Sequence, residues 1–169
     1  MKHLEIELKT LLKKEDYDHL KEQFSHIQPV LQKNYYIDTP DFQLREKKVA
    51  MRIRTFSDWA ELTLKVPQTV GNMEYNQKLN LPEAESYLEK QTLPQGLVLE
   101  KLTKIGIESH DWFVLGCLAT IRYEMETSIG LMALDESHYF DHTDYELELE
   151  VTDHEEGKRD FQQFLSENG

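Results

Sequence analysis

The stretch Leu4-Glu5-Ile6-Glu7-Leu8-Lys9 alternates strictly between apolar and charged residues, and a period of two belongs to a strand, not a helix. Leu4, Ile6 and Leu8 share one face, while Glu5, Glu7 and Lys9 share the other, about 7 Å apart along it. A single strand of this kind is an amphipathic ribbon with its charges in water. The same pattern returns along the chain, so it becomes a property of a whole sheet. Residues 49–56 set Val49, Met51 and Ile53 against Arg52 and Arg54, and residues 60–66 set Ala60, Leu62, Leu64 and Val66 against Glu61, Thr63 and Lys65. A tight turn near Asp58 joins the two as a hairpin. Residues 72–81 place Glu74, Asn76 and Lys78 opposite Met73, Tyr75 and Leu79. Residues 113–127 place Thr120, Arg122, Glu124 and Glu126 opposite Cys117, Ala119, Ile121 and Tyr123, and residues 145–151 place Glu146, Glu148 and Glu150 opposite Tyr145, Leu147, Leu149 and Val151. Residues 30–38 are β-prone, and a strand beginning at Gly130 carries Asp135.

Helical spacing interrupts the strands. It occurs over residues 13–26 through Tyr17, Leu20 and Phe24, over 82–91, over 96–107 through Leu97, Leu99, Leu102 and Ile105, and from Asp153 onward through Phe161, Phe164 and Leu165. A short helical turn is expected at 42–47. About seven or eight largely consecutive strands with apolar-striped helices make an α+β protein. An open antiparallel sheet would place its charged face in water. A sheet curled into a barrel, with helices packed outside, would bury the apolar face and turn the charged faces inward.

The composition of those faces favours the barrel. Glu5, Glu7, Glu146, Glu148 and Glu150 form acidic rows, and Arg52, Arg54, Lys65 and Arg122, with Lys9, form basic ones. A carboxylate row repels itself unless cations neutralise it, and oxygen ligands without histidine or thiolate suit Mg²⁺ or Mn²⁺. Guanidinium groups match phosphate oxygens in bidentate geometry. The two rows together describe a pocket for a polyphosphate and a metal.

At 169 residues the chain has the length of one domain, read as 1–169 without division. Its 32 acids against 19 bases give a net charge of −13, which argues against general affinity for nucleic acid or anionic membrane. Any anionic ligand must meet a local basic cluster. Cys117 is the single cysteine, so no internal disulfide forms, and with no apolar leader at the N-terminus a cytoplasmic location is expected. Cys117 falls on an apolar face and is expected to be buried and inert. His138 and His142, with Asp141 and Asp144, have the residue types of a transition-metal patch, but four-residue spacing signals ligands mainly on a helix. The oligomeric state is not legible.

The motifs, taken in order, resemble those of the CYTH superfamily, the triphosphate tunnel metalloenzymes. EIELK is similar to the family's N-terminal ExExK signature, RIR at Arg52 to Arg54 to its paired arginines, and ELTLK ending at Lys65 to its following lysine strand. Arg122, Asp135 and the ELELE run resemble the later arginine, aspartate and glutamate positions, and within the family the sequence looks most like the small bacterial YjbK-type members. The resemblance implies an eight-stranded antiparallel closed β-barrel that binds a small-molecule triphosphate and hydrolyses it, most simply inorganic tripolyphosphate. It implies a phosphate grip from Lys9, Arg52, Arg54, Lys65, Lys78 and Arg122, and divalent Mg²⁺ or Mn²⁺ on Glu5, Glu7, Asp135, Glu146, Glu148 and Glu150. Catalytic roles fall to Lys65, Arg122 and Glu7. Cyclisation of ATP, hydrolysis of thiamine triphosphate and non-catalytic polyphosphate binding stay open as alternatives. Two departures stand out: the arginine the family commonly offers near Glu74, Asn76 and Lys78 is missing, and Asp135 is in phase with Ile129, Leu131 and Ala133, so an inward orientation calls for a bulge or twist.

Overall fold

The computed structural model describes residues 1–109 and 111–169. Eight strands occur in the order β1 (Lys2–Leu12), β2 (Val30–Asp38), β3 (Ala50–Thr55), β4 (Trp59–Pro67), β5 (Asn72–Asn80), β6 (Phe113–Thr127), β7 (Gly130–Tyr139) and β8 (His142–Val151). They form a closed antiparallel barrel in the order β1-β5-β4-β3-β2-β6-β7-β8. The helices are α1 (Lys14–Lys21), α2 (Gln43–Glu46), α3 (Leu81–Lys90), α4 (Leu97–Lys104) and α5 (His154–Glu167). No helix is long and apolar enough to cross a membrane among the described residues.

The chain groups into two compact units, Met1–Leu4 with Gln32–Leu118, and Glu5–Leu31 with Ala119–Gly169. In the first, Met51, Ile53, Leu62, Leu64 and Leu79 turn one sheet face toward Leu44, Ala84, Val98 and Leu102 of α2, α3 and α4. This is the apolar half of the period-two pattern, removed from water as expected. Polar caps hold these helices in place. Asn80 and Glu83 form a reciprocal capping box at α3, and Gln77 Oε1 accepts from Val98 N at 2.7 Å to cap α4.

In the second unit Met132, Leu134, Leu147 and Leu149 pack with Tyr17 and Leu20 of α1, Phe24 just beyond it, and Phe161 of α5. Asp153 starts α5 by accepting from Glu156 N at 2.9 Å. The helix then passes so close to β8 that a Cβ at Gly157 would lie 2.6 Å from Val151 Cγ2. Val151 is β-branched and cannot swing clear, so the clash outweighs the gain of about 1 kcal/mol in helix propensity. Gly157→Ala is expected to lower stability by about 1 to 3 kcal/mol, and adding Val151→Ala should recover part of the loss in urea unfolding.

Two expectations are corrected. Asp135 needs no bulge: β7 pairs continuously with β6 from Gly130 opposite Thr127 to His138 opposite Ala119, and with β8 from Leu131 opposite Glu150 to Tyr139 opposite His142. Met132 and Leu134 are the core-facing residues of β7, and Leu131 and Ala133 share the face of Asp135. Small Ala133, opposite both Glu124 and Glu148, leaves room there for longer side chains. Cys117 is exposed, not buried. An apolar strand face is buried only where something covers it, and Phe113 and Leu115, four and two residues before Cys117, are also exposed.

Candidate functional site

Each unit has one face covered by helices and one that is not, and the charged residues collect on the second. In the first unit, register builds rows across four strands. Asn34, Arg54, Glu61 and Lys78 stand side by side, as do Tyr36, Arg52, Thr63 and Asn76, and next to these come Ala50, Lys65 and Glu74. Directly opposed residues of antiparallel strands share a face, so one surface collects Arg52, Arg54, Lys65 and Lys78.

Neutral groups and carboxylates hold these cations in place. Arg54 Nε donates to Asn34 Oδ1 at 2.6 Å. Lys65 Nζ lies 3.4 Å from Glu74 Oε2, and Thr63 Oγ1 donates to Asn76 Oδ1 at 2.7 Å. Lys78 Nζ sits 5.2 Å from the centroid of Trp59, whose ring also stacks on Phe56 at 4.5 Å. Arg52 Nε is buried and has no hydrogen-bond partner among the described residues. Asn34, Thr63 and Asn76 were not singled out as site residues from the sequence. The usable signal for Asn34 was its place in phase with Gln32 and Tyr36, polar side chains that share one face of β2.

The second unit has the opposite sign. Glu7 stands opposite Glu150, and Glu150 opposite Leu131; Lys9 stands opposite Glu148; Glu146 stands opposite Asp135, and Asp135 opposite Arg122. Glu5 precedes Glu7 by two residues on the same strand face. Carboxylates outnumber Lys9 and Arg122 here, and the Glu7–Glu150 register sets like charges side by side, an arrangement that costs stability without a counter-charge.

Arg122 is held firmly. Its Nε donates to Asp135 Oδ1 at 2.8 Å, and its Nη2 donates to Asp135 Oδ2 at 2.7 Å and Glu148 Oε2 at 3.0 Å. Burial opposes the guanidinium charge, but the hydrogen bonds and charge of Asp135, with Glu148 and Glu124, outweigh it and raise its pKa above the ordinary arginine value. The structure thus brings Asp135 into a bidentate ion pair with Arg122. A further polar pair lies one row along, where Thr120 and Ser137 hydroxyls meet at 2.9 Å.

Burial raises the Glu146 carboxyl above its ordinary range; Lys9 works against the rise, and Glu148, Asp135 and Asp144 add to it. A raised folded-state value means that the contribution to stability is complete below the unfolded-state carboxylate range and is lost as pH rises through the raised value. Glu146→Gln should therefore be more stable than the parent at neutral pH and converge on it toward about pH 4. Urea midpoints measured across that range would show it.

The donor set of this face is hard oxygen, the chemistry of Mg²⁺ or Mn²⁺. Among the described residues, no three His, Cys, Asp or Glu side chains stand together as a ready-made metal cage. The same holds for the histidines at the β7–β8 turn, which pair individually with carboxylates: His138 Nε2 with Glu136 Oε2 at 2.6 Å and His142 Nε2 with Asp144 Oδ1 at 3.1 Å.

The CYTH domain family model matches residues 3–169. The chain is 37% identical over 166 residues to a Bacillus subtilis protein named "Putative triphosphatase YjbK", covering 97% of this chain and 86% of that one. Among solved structures, it is similar to a Bacillus halodurans protein described as a putative adenylate cyclase, with 38% identity, a TM-score of 0.92 and coverage of 99% and 90% of the two chains. It also shares its fold with HpAC1 from Hippeastrum, with 23% identity, a TM-score of 0.79 and coverage of 98% and 88%.

Proposed function

Since this chain belongs to the CYTH family, we propose that it hydrolyses a linear triphosphate, most simply inorganic tripolyphosphate, with a divalent cation, and that residues 1–169 act as one functional domain. The observation that carries the reading is Arg52: a buried guanidinium Nε without an acceptor, set among Arg54, Lys65 and Lys78 on one strand face. A buried donor left unpaired costs about 1 to 3 kcal/mol. An anionic oxygen arriving with the substrate offsets that cost. The name of the Bacillus subtilis relative agrees.

Roles follow from chemistry. Arg52, Arg54 and Lys78 bind and orient the phosphate chain, with Lys9 and Arg122 adding positive charge. Asp135 and Glu148 fix the Arg122 guanidinium so that its direction is set before substrate arrives. Glu5, Glu7, Glu146, Glu148 and Glu150, with Asp135 as a further oxygen donor, would hold Mg²⁺ or Mn²⁺. Such an ion supplies charge neutralisation and a water of lowered pKa. Lys65, paired with Glu74, meets the phosphate oxygens where charge builds as the bond breaks. Both Phe56 and Lys78 already lie against the Trp59 ring, which leaves that aromatic pair poorly suited to stack a nucleobase. The reading places the protein with a cytoplasmic triphosphate pool.

The test is a panel of tripolyphosphate, thiamine triphosphate and ATP, each with Mg²⁺ or Mn²⁺, following orthophosphate and cyclic AMP. Phosphate release fastest from tripolyphosphate is expected; cyclic AMP as the main product, or tight binding without turnover under any metal, overturns the proposal. Within the same assay Lys65→Ala should lower kcat about 10²-fold, the scale of one preorganised donor, with a much smaller change in the dissociation constant. Equal losses in rate and affinity would make Lys65 a ground-state clamp.

A further inference from the structure

Besides Arg52 Nε, one other buried side-chain nitrogen has no hydrogen-bond partner among the described residues: Gln32 Nε2. Gln32 is 3% exposed and begins the longer segment of the first unit, Gln32–Leu118. It lies in β2 two residues before Asn34, on the same strand face and about 7 Å away along it. That face is identified by contact, since Asn34, 2% exposed, accepts from Arg54 Nε. The alternate residues Leu31 and Lys33 are exposed. This end of β2 therefore buries its amides and exposes an apolar residue, the reverse of what the hydrophobic effect alone selects.

A buried carboxamide without an acceptor is destabilising, and a methionine of similar shape would remove the cost. What its N–H₂ lacks is an acceptor, and the next rows along the face carry Arg54, opposite Asn34, and then Arg52, opposite Tyr36. The ligand that meets all three is rich in acceptor oxygens and carries no donors, which describes a fully ionised phosphate chain. We propose that Gln32 is a further substrate-contacting residue, whose Nε2 donates to an oxygen of the phosphate chain gripped by Arg54 and Arg52 and so extends the row of donors from β3 onto β2. The inference rests on the triphosphate reading and names a contact that reading does not contain.

Calorimetric titration with tripolyphosphate, with Ca²⁺ in place of the metal that supports turnover, tests it. Gln32→Met keeps the side chain's shape and removes both donors. It should weaken binding about tenfold or more, the usual scale for a hydrogen bond to a charged group, while the melting temperature holds or rises. A fall in melting temperature with unchanged affinity would make Gln32 a structural residue and overturn the inference. Should the methionine variant fail to fold, the isosteric Gln32→Glu decides: an acceptor facing an acceptor should weaken binding further still, and unchanged affinity overturns the idea. Arg52→Ala separates the two levels. Wild-type binding with loss in Arg52→Ala but none in either Gln32 variant rejects the Gln32 contact alone; no binding by the wild type rejects the triphosphate reading with it.

Discussion

Glu7→Gln is expected to cut metal-dependent tripolyphosphate hydrolysis by about 10²-fold or more, since removing even an outer-shell partner of a metal ligand commonly costs 10- to 100-fold. The substitution preserves volume and takes away one hard anionic oxygen from the row that Glu7 shares with Glu150. It should not harm the fold. Glutamine keeps the length of the side chain and one hydrogen-bonding oxygen, so the urea midpoint of the metal-free protein should change little while kcat at saturating Mg²⁺ or Mn²⁺ collapses. Full activity would remove Glu7 from the metal chemistry, and loss of cooperative unfolding would make it a structural residue.

Asp135→Ala should produce the largest loss of stability. Arg122 exposes 19% of its side chain and Asp135 exposes 6%, and Asp135 receives two of the hydrogen bonds that hold the guanidinium. Removing one partner leaves a desolvated charge that Glu148 alone must compensate, and breaking a buried pair in this way costs about 3 to 5 kcal/mol. Replacing both partners behaves differently, because two charges are then relieved of their desolvation together. Arg122→Met combined with Asp135→Leu should recover much of the loss in urea unfolding. A loss under about 1 kcal/mol for Asp135→Ala would show that the pair is effectively solvated.

The strands were legible because alternation is a local property of the extended backbone. Residues 113–127 read from sequence coincide with β6, and the hairpin that carries Arg52, Arg54 and Lys65 stands as β3 and β4 within a residue or so at each end. The charged sets followed from the same period. The reading failed where polarity was taken as a guide to face. Leu131 and Ala133 suggested that Asp135 pointed to the core, yet all three share the polar face, where Leu131 is only half-buried and small Ala133 leaves room for the facing glutamates. Cys117 looked buried because its neighbours in phase are apolar, but no periodicity reports whether a helix will cover a strand end.

By itself, the sequence determined the strands, their two-faced character, the CYTH family through motifs in order, and the opposite charge of the β3–β4 hairpin and the β8 run. Apart from the order of the motifs along the chain, each of these rests on residues within a few positions of one another, where covalent geometry leaves few choices. Only the tertiary structure decided which charged residues are partners: Arg122 with Asp135 across β6 and β7, Arg54 with Asn34 across β2 and β3, Lys65 with Glu74 across β4 and β5. Those pairings depend on strand register between segments up to some twenty residues apart, and a shift of one residue would send every side chain to the other face. The unpartnered nitrogens of Arg52 and Gln32 are likewise products of packing, since a donor lacks an acceptor only after the chain has closed around it.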